Sequence, residues 1–399
     1  MKELKDKLLS IYSENFDSFY TKAEKILSTY KKKTNNILVV QLNGMGDLIL
    51  ASSALRNLRE NYSLAHITLV TTREWISLVE YCPYVNKVIA SEINNLNYKE
   101  EITSCISFCN KYLWEEPFDL AINLHYNICS FCGSVLCWLA VSNEIRGYSF
   151  DAERQYFSPD FNMGYFEDDL HMDRILTHPY INPPELIHEV DRKLYLLDKV
   201  TSPNLELFLT NKDIDTAFSL VSKKFIALGI GGSMKSKHYP PNKLVKALKQ
   251  IDNNFVLLGG KKDEEDADYI SRKIKCINLV GKLSIRETAA VISLSSLYIG
   301  NDTGLTHMAA AANEPIIEYI CQAKDKNNVK PGSRSALARF RPYYGNNGDK
   351  AIILQPEESL QDCKKVEIYS GCCHEEAHCI TQIDYRKIIE AYEYIKQHY

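Results

Sequence analysis

The chain has 399 residues, 45% hydrophobic and 25% charged, an ordinary globular composition that is too long for one compact core and sufficient for two α/β domains. Its 47 basic and 51 acidic residues leave a formal charge of −4. That balance excludes a polyanion-coating protein, so no nucleic-acid partner is expected.

Met1 to Lys33 is Lys-rich and has no continuous apolar core, so it is not read as a secretory signal, and a cytoplasmic protein is expected. Leu4, Leu8, Tyr12, Phe16, Phe19, Ala23, Ile26 and Tyr30 recur at spacings of three and four, which predicts a helix over residues 1–36. Lys31 to Lys33 complement the dipole at its end. This extension is expected to pack on the protein body or on another subunit. Peripheral contact with the inner face of the cytoplasmic membrane is the alternative.

At Ile37 the pattern changes to a short apolar run, Ile37 to Leu42, then a Gly-containing turn and a helical pattern through Leu48, Ala51, Leu55 and Leu58. His66 to Val70 and Asp119 to Leu124 are further strands. The uncharged stretch from Asn127 to Asn143 is shorter than a bilayer span and reads as a buried helix. Asp151 to about Pro203, with Pro183-Pro184 inside it, reads as the end of a first domain plus linker. The second half repeats the plan. Lys224 to Gly229 is a strand, Pro240-Pro241 opens a helix, Asn254 to Gly259 is a strand, and Asp263 to Asp266 starts its helix. Ile277 to Val280 is a short strand, and Ser284 to Glu287 is a capping box opening another helix. Leu297 to Gly300 is a strand, Thr303 to Ala312 a helix and Pro315 to Ile320 a strand. The expected class is α/β, with two doubly wound Rossmann-like domains facing across a cleft and ligands at the carboxyl ends of the strands. The expected division is an N-terminal helical extension over 1–36, a first Rossmann-like domain over 37–205, a second Rossmann-like domain over 206–383 and a C-terminal helix over 384–399.

Three turns carry the candidate chemistry. Asn43-Gly44-Met45-Gly46-Asp47 follows the first strand; Gly44 and Gly46 allow close backbone approach to a ligand. The Asp47 carboxylate can either accept a proton from an attacking hydroxyl or merely favour the helix N-terminus. Gly229-Ile230-Gly231-Gly232-Ser233, followed by Lys235 and Lys237, suits a diphosphate, or else is an exposed basic loop. Gly300-Asn301-Asp302-Thr303-Gly304-Leu305-Thr306-His307 runs into an alanine-rich helix, with Thr303 and His307 one turn apart and amides near Thr303 and Gly304 available to an anion.

Taken in order, Gly44-Met45-Gly46-Asp47, Lys237-His238-Tyr239-Pro240 and Asp302-Thr303-Gly304-Leu305-Thr306-His307 resemble the motifs of the ADP-heptose lipopolysaccharide heptosyltransferases, glycosyltransferase family 9. The resemblance runs from about Ile37 to the C-terminus. It implies a GT-B fold and an inverting, metal-independent transfer of heptose from ADP-heptose to a lipopolysaccharide-core or related glycan. It implies that Asp47 is the general base, and that Lys237 and the amides at Thr303-Gly304 hold the diphosphate. Asp302 and His307 would shape the donor pocket, while Asp263 or Glu264 would meet the nucleotide ribose or serve only as first-turn helix charge. The chain departs from the family after Pro315, where Ile316-Ile317-Glu318-Tyr319-Ile320-Cys321 replaces the usual Leu-Phe-Gly-Pro-Thr pattern; this bears on nucleobase recognition.

Cys363, Cys372, Cys373 and Cys379 cluster with His374 and His378. Reduced thiols this close could hold a structural zinc or iron, or could be buried thiols or a disulfide; no cofactor is expected for catalysis. Protein heptosyltransferases that modify autotransporter adhesins resemble the same plan, so a protein or capsular-glycan acceptor is the near rival. A non-catalytic nucleotide-sugar-binding protein is the rival of another class. A nicotinamide oxidoreductase is disfavoured because Ile49 stands where the third fingerprint glycine would. An oligomer formed through the N-terminal helix is a further expectation.

Overall fold

A computed structural model describes residues 2–12, 16–42, 44–93, 98–125, 131–149, 172–180, 188–221, 224–326, 336–360 and 376–399. The chain divides into two compact units, Met1–Leu186 with Asp191–Thr201, and Ile187–Val190 with Ser202–Tyr399. Each is built on its own sheet of six strands.

The first unit begins with α1 (Lys2–Ile11) and α2 (Phe16–Ser28), so the expected single helix is two. Leu4, Leu8, Phe19, Ala23 and Leu27 are fully buried in one core with Ile102, Ile106, Val135 and Trp138. Trp138 Nε1 donates to Glu24 Oε2 at 2.9 Å. The extension therefore packs on the body of its own unit, because its apolar stripe supplies part of that core.

The apolar run at Ile37 forms β1 (Asn36–Gln41), followed by α3 (Met45–Leu50) and α4 (Ser52–Asn61). Then come β2 (His66–Thr72), β3 (Lys87–Ser91), α5 (Tyr98–Tyr112), β4 (Phe118–Asn123), α6 (Phe131–Leu139), β5 (Ser142–Tyr148), β6 (His178–Tyr180) and α7 (Glu189–Tyr195). The strands are parallel in the order β3-β2-β1-β4-β5-β6. The chain reverses direction of winding between β1 and β4, whose carboxyl ends form the switch point where such sheets bind ligands.

The second unit holds α8 (Asn211–Leu220), β7 (Ile226–Gly229), α9 (Pro241–Leu248), β8 (Phe255–Leu258), α10 (Glu264–Ser271), β9 (Cys276–Asn278) and α11 (Ile285–Ser293). These are followed by β10 (Leu297–Asn301), α12 (Gly304–Ala311), β11 (Ile316–Tyr319), α13 (Ala336–Phe340), β12 (Ala351–Leu354) and α14 (Arg386–His398). Pro opens α9 and the Ser284–Glu287 capping box opens α11, as their sequences require. The parallel order β12-β11-β10-β7-β8-β9 is that of the first sheet again, with its switch point between β7 and β10. α14 is not a separate appendage: Ile388, Ala391, Tyr392 and Ile395 are buried in the second unit's core.

Among the described residues no helix is long and apolar enough to cross a membrane.

Candidate active site

All three sequence-derived turns lie at the switch points. In the first unit, β1 ends at Gln41 and α3 starts at Met45 with Gly44 as its extended N-cap; Asn43 lies outside the described residues. Asp47 is in the first turn of α3, its backbone carbonyl accepting from Ala51 N at 3.0 Å. Its side chain is 21% exposed, and Lys193 Nζ of α7 lies 3.8 Å from Oδ1. Lys193 itself is 0% exposed and donates to the Leu124 carbonyl just past β4 at 3.3 Å. The sequence reading missed this lysine. Nothing local marks it, because it lies 146 residues from its partner in a stretch that reads as the end of a domain plus linker.

In the second unit the Gly-rich turn after β7 is closed by side chains from β10. Asn301 Nδ2 donates to the carbonyls of Ile230 and Gly231, both at 3.1 Å, while its Oδ1 accepts from Tyr239 N at 2.9 Å. One asparagine thereby ties two of the motifs together. Thr306 Oγ1 donates to the Asn301 carbonyl at 2.7 Å and fixes the start of α12. Two glycines are required by close approach. A Cβ at Gly229 would come within 1.8 Å of the buried Tyr298 hydroxyl, and one at Gly231 within 1.9 Å of Asp263 Oδ2. Gly232 sits between Thr303 and His238, and Ser233 is exposed beside it.

Lys237 Nζ is 2.7 Å from Asp302 Oδ2, with the side chains 18% and 6% exposed. Burial disfavours the lysine's charge, but Asp302 more than offsets this and raises its pKa above the ordinary lysine value. Thr303 is the extended N-cap of α12, without a side-chain cap, so the first amides of that helix carry their positive dipole end beside the pair. His307, in the second turn, is buried; burial lowers its pKa to about 4, so it is neutral at physiological pH. Its Nδ1 has no hydrogen-bond partner among the described residues.

Glu318 was not foreseen as a site residue. It stands on β11 opposite Gly300, is 0% exposed, and neither carboxyl oxygen has a partner among the described residues. Burial, and after it the Asp302 carboxylate, push its pKa well above the usual carboxylate range. The departure from the family pattern after Pro315 therefore puts a buried acid close to the Lys237–Asp302 pair.

Asp263 is buried and accepts from Gly260 N at 2.8 Å, so its carboxylate is occupied in closing its own turn over Gly231. Glu264 begins α10 next to it, with Oε1 near Gly281. Of the cysteine cluster, Cys363, Cys372 and Cys373 lie outside the described residues. Cys379 is buried with its Sγ 3.5 Å from His378 Nδ1.

A second buried histidine gives a pH test of this unit. His188 Nδ1 accepts from Val190 N at 3.1 Å, so Nε2–H donates to the Arg341 carbonyl at 3.0 Å. Burial lowers its pKa from 6.5 to about 3. Unfolding lets the imidazole protonate, so the stability tied to its neutral form is complete above pH 6.5 and is lost as pH falls toward 3, by at most about 1.4 kcal/mol per pH unit. Urea midpoints should fall between pH 7 and pH 5, and His188→Gln should show a shallower fall. An unchanged slope in that variant would remove His188 from the account.

A doubly wound unit with an acid at its switch point, and another with a Gly-rich turn, a buried lysine and a helix N-terminus at its own, have the plan of a glycosyltransferase of the GT-B fold. The comparisons with known proteins agree. The sequence model of glycosyltransferase family 9 (heptosyltransferase) matches residues 177–336. Lipooligosaccharide heptosyltransferase 2 of Haemophilus influenzae is 22% identical over 347 residues, 82% of this chain and 97% of that protein. The crystal structure of a family 9 glycosyltransferase from Veillonella parvula superposes with a TM-score of 0.69 at 20% identity, covering 92% of this chain and all of that one. Escherichia coli ADP-heptose lipopolysaccharide heptosyltransferase II superposes with a TM-score of 0.64 at 19% identity, covering 91% and 99%. The chain is thus similar to glycosyltransferase family 9, whose sequence model matches it over residues 177–336.

Proposed function

We propose that this protein transfers heptose from ADP-heptose to a lipopolysaccharide-core acceptor with inversion at the sugar carbon. In this reading Asp47 takes the proton of the acceptor hydroxyl as its oxygen attacks the anomeric carbon. The bond from that carbon to the diphosphate breaks, and its electron pair leaves on ADP. Lys237 and the first amides of α12 stabilise the charge that develops on the diphosphate, the task a metal ion performs in other transferases. The turns at Gly44, Gly46, Gly232 and Ser233 admit the ligand backbone closely, and Asp302 and His307 shape the sugar's surroundings. Glu264 is the better placed of the two acids for a ribose, because Asp263 is committed to Gly260. The transfer is assigned to the cytoplasmic side of the membrane, where nucleotide sugars are made.

The observation that carries this reading is the Lys237–Asp302 pair at 2.7 Å, set against the start of α12 at the switch point of the second sheet. It is a charge arrangement suited to a nucleoside diphosphate. The names of the relatives favour heptose and a lipopolysaccharide acceptor.

Thermal stability with ADP, UDP and NAD tests the donor side. ADP at a hundredfold excess over its Kd should stabilise by about 2.7 kcal/mol, with UDP giving much less. ADP release from ADP-heptose should then depend on a heptose-deficient lipopolysaccharide core. Indifference to ADP would sink the nucleotide assignment. Release driven by a polypeptide acceptor in place of the core would move the acceptor to protein.

A further inference from the structure

Asp47 and Lys193 belong to one unit and are brought together by its topology. Lys193 comes from the last turn of α7, is wholly enclosed, and reaches the Leu124 carbonyl where β4 ends beside β1. Leu124 follows β4, and Asp47 lies in the first turn of the helix that follows β1. The carboxylate remains partly open while the ammonium behind it is sealed, so the lysine cannot itself touch a substrate. Several charged groups on the elements packed against α3 have partners of their own. On α4, Arg56 donates to Tyr84 Oη at 3.3 Å, Arg59 to the carbonyls of Tyr84 at 3.1 Å and Ala65 at 2.7 Å, and Glu60 accepts from Thr201. On the short helix Arg73–Leu78, Arg73 pairs with Glu92 at 2.6 Å, and Glu74 is its neighbour in sequence. Lys193 places its ammonium 3.8 Å from the Asp47 carboxylate. Stability alone gives little reason to keep an ammonium here, since an apolar side chain of similar volume in place of a buried pair is often neutral or stabilising.

We propose that Lys193 is a positioning residue for Asp47: its enclosed ammonium, held on the Leu124 carbonyl, orients the carboxylate and keeps it ionised so that it can accept the acceptor's proton. Lys193 acts on the carboxylate and does not touch the substrate. The proposal rests on the reading of Asp47 as the base, and its test separates the two.

The acid limb of kcat/KM is measured by ADP release from ADP-heptose with the heptose-deficient core, for the wild type, Lys193→Met, Lys193→Arg and Asp47→Asn. A neighbouring cation favours the ionised carboxylate. Lys193→Met should therefore move the acid limb upward by about one pH unit, with the alkaline plateau within about fivefold of wild type, since the more basic carboxylate still works once ionised. Lys193→Arg should bring the limb back toward wild type. Folding is checked by the thermal shift with ADP. Should Lys193→Met not accumulate as folded protein, Lys193→Gln is read against the same expectations. An unmoved limb in a folded variant overturns the proposal. So does a uniform loss of rate at every pH, which is what a merely structural lysine would give. If Asp47→Asn remains active, the base assignment fails and the proposal falls with it; if that variant is dead while the Lys193 limb stays put, only the proposal falls.

Discussion

Replacing Asp47 with asparagine is expected to lower the transfer rate about 10³-fold while ADP binding survives. The amide matches the carboxylate in shape but cannot take a proton, and the lysine and helix amides assigned to the diphosphate lie in the other unit. The same substitution has a second cost. Lys193 is fully enclosed 3.8 Å away, so removing its counter-charge leaves a buried ammonium without that compensation, at roughly 3–5 kcal/mol if no water relieves it. Loss of activity could then be mistaken for loss of fold. The double variant Asp47→Asn, Lys193→Met separates the two effects: it should recover much of the lost stability, because charge and counter-charge go together, and none of the activity. Urea unfolding and single-turnover transfer would be measured on the same preparations. Recovery of activity along with stability would show that Asp47 serves the structure and not the reaction.

The strands that position the site were the ones legible in the sequence. β1, β4, β7, β8, β10 and β11 are central, buried runs of Ile, Val, Leu and Ala, and buried parallel strands read as continuous apolar segments. The elements that escaped are peripheral or polar. β5 is Ser142–Tyr148, whose Arg146 is bound to Glu144 at 2.6 Å and Asp198 at 2.9 Å, so its burial rests on ion pairs that no hydropathy pattern reports. β6 is His178-Pro179-Tyr180 at a sheet edge, the place where a strand tolerates proline. Motif glycines and acids were legible because they stand at strand ends, where chain direction restricts residue choice. Lys193 and Glu318 were not, since each gains its meaning from a residue distant in sequence. A lysine in a stretch read as linker and a single acid in an apolar strand look like noise until the fold supplies their neighbours.

Lys237→Met should act on both stability and donor affinity, and the two effects can be told apart by ligand and by pH. Asp302 is 6% exposed and its carboxylate takes the Lys237 ammonium at 2.7 Å. Without the lysine it becomes a buried charge lacking its partner, a loss of roughly 3–5 kcal/mol at neutral pH. Acid should relieve that loss. The deficit is one of buried, uncompensated charge, so it should be larger at pH 7 than at pH 5. The affinity effect belongs to phosphate. One charge-assisted contact is worth about 1.5–3 kcal/mol, so ADP should bind on the order of 10 to 100-fold more weakly, while adenosine, which offers the lysine nothing, should bind as before. Urea unfolding at pH 7 and pH 5, and titration with ADP and with adenosine, read the two effects separately. If ADP binds the variant as tightly as the wild type, Lys237 exists to neutralise Asp302 and the diphosphate is held by the amides of α12 without it.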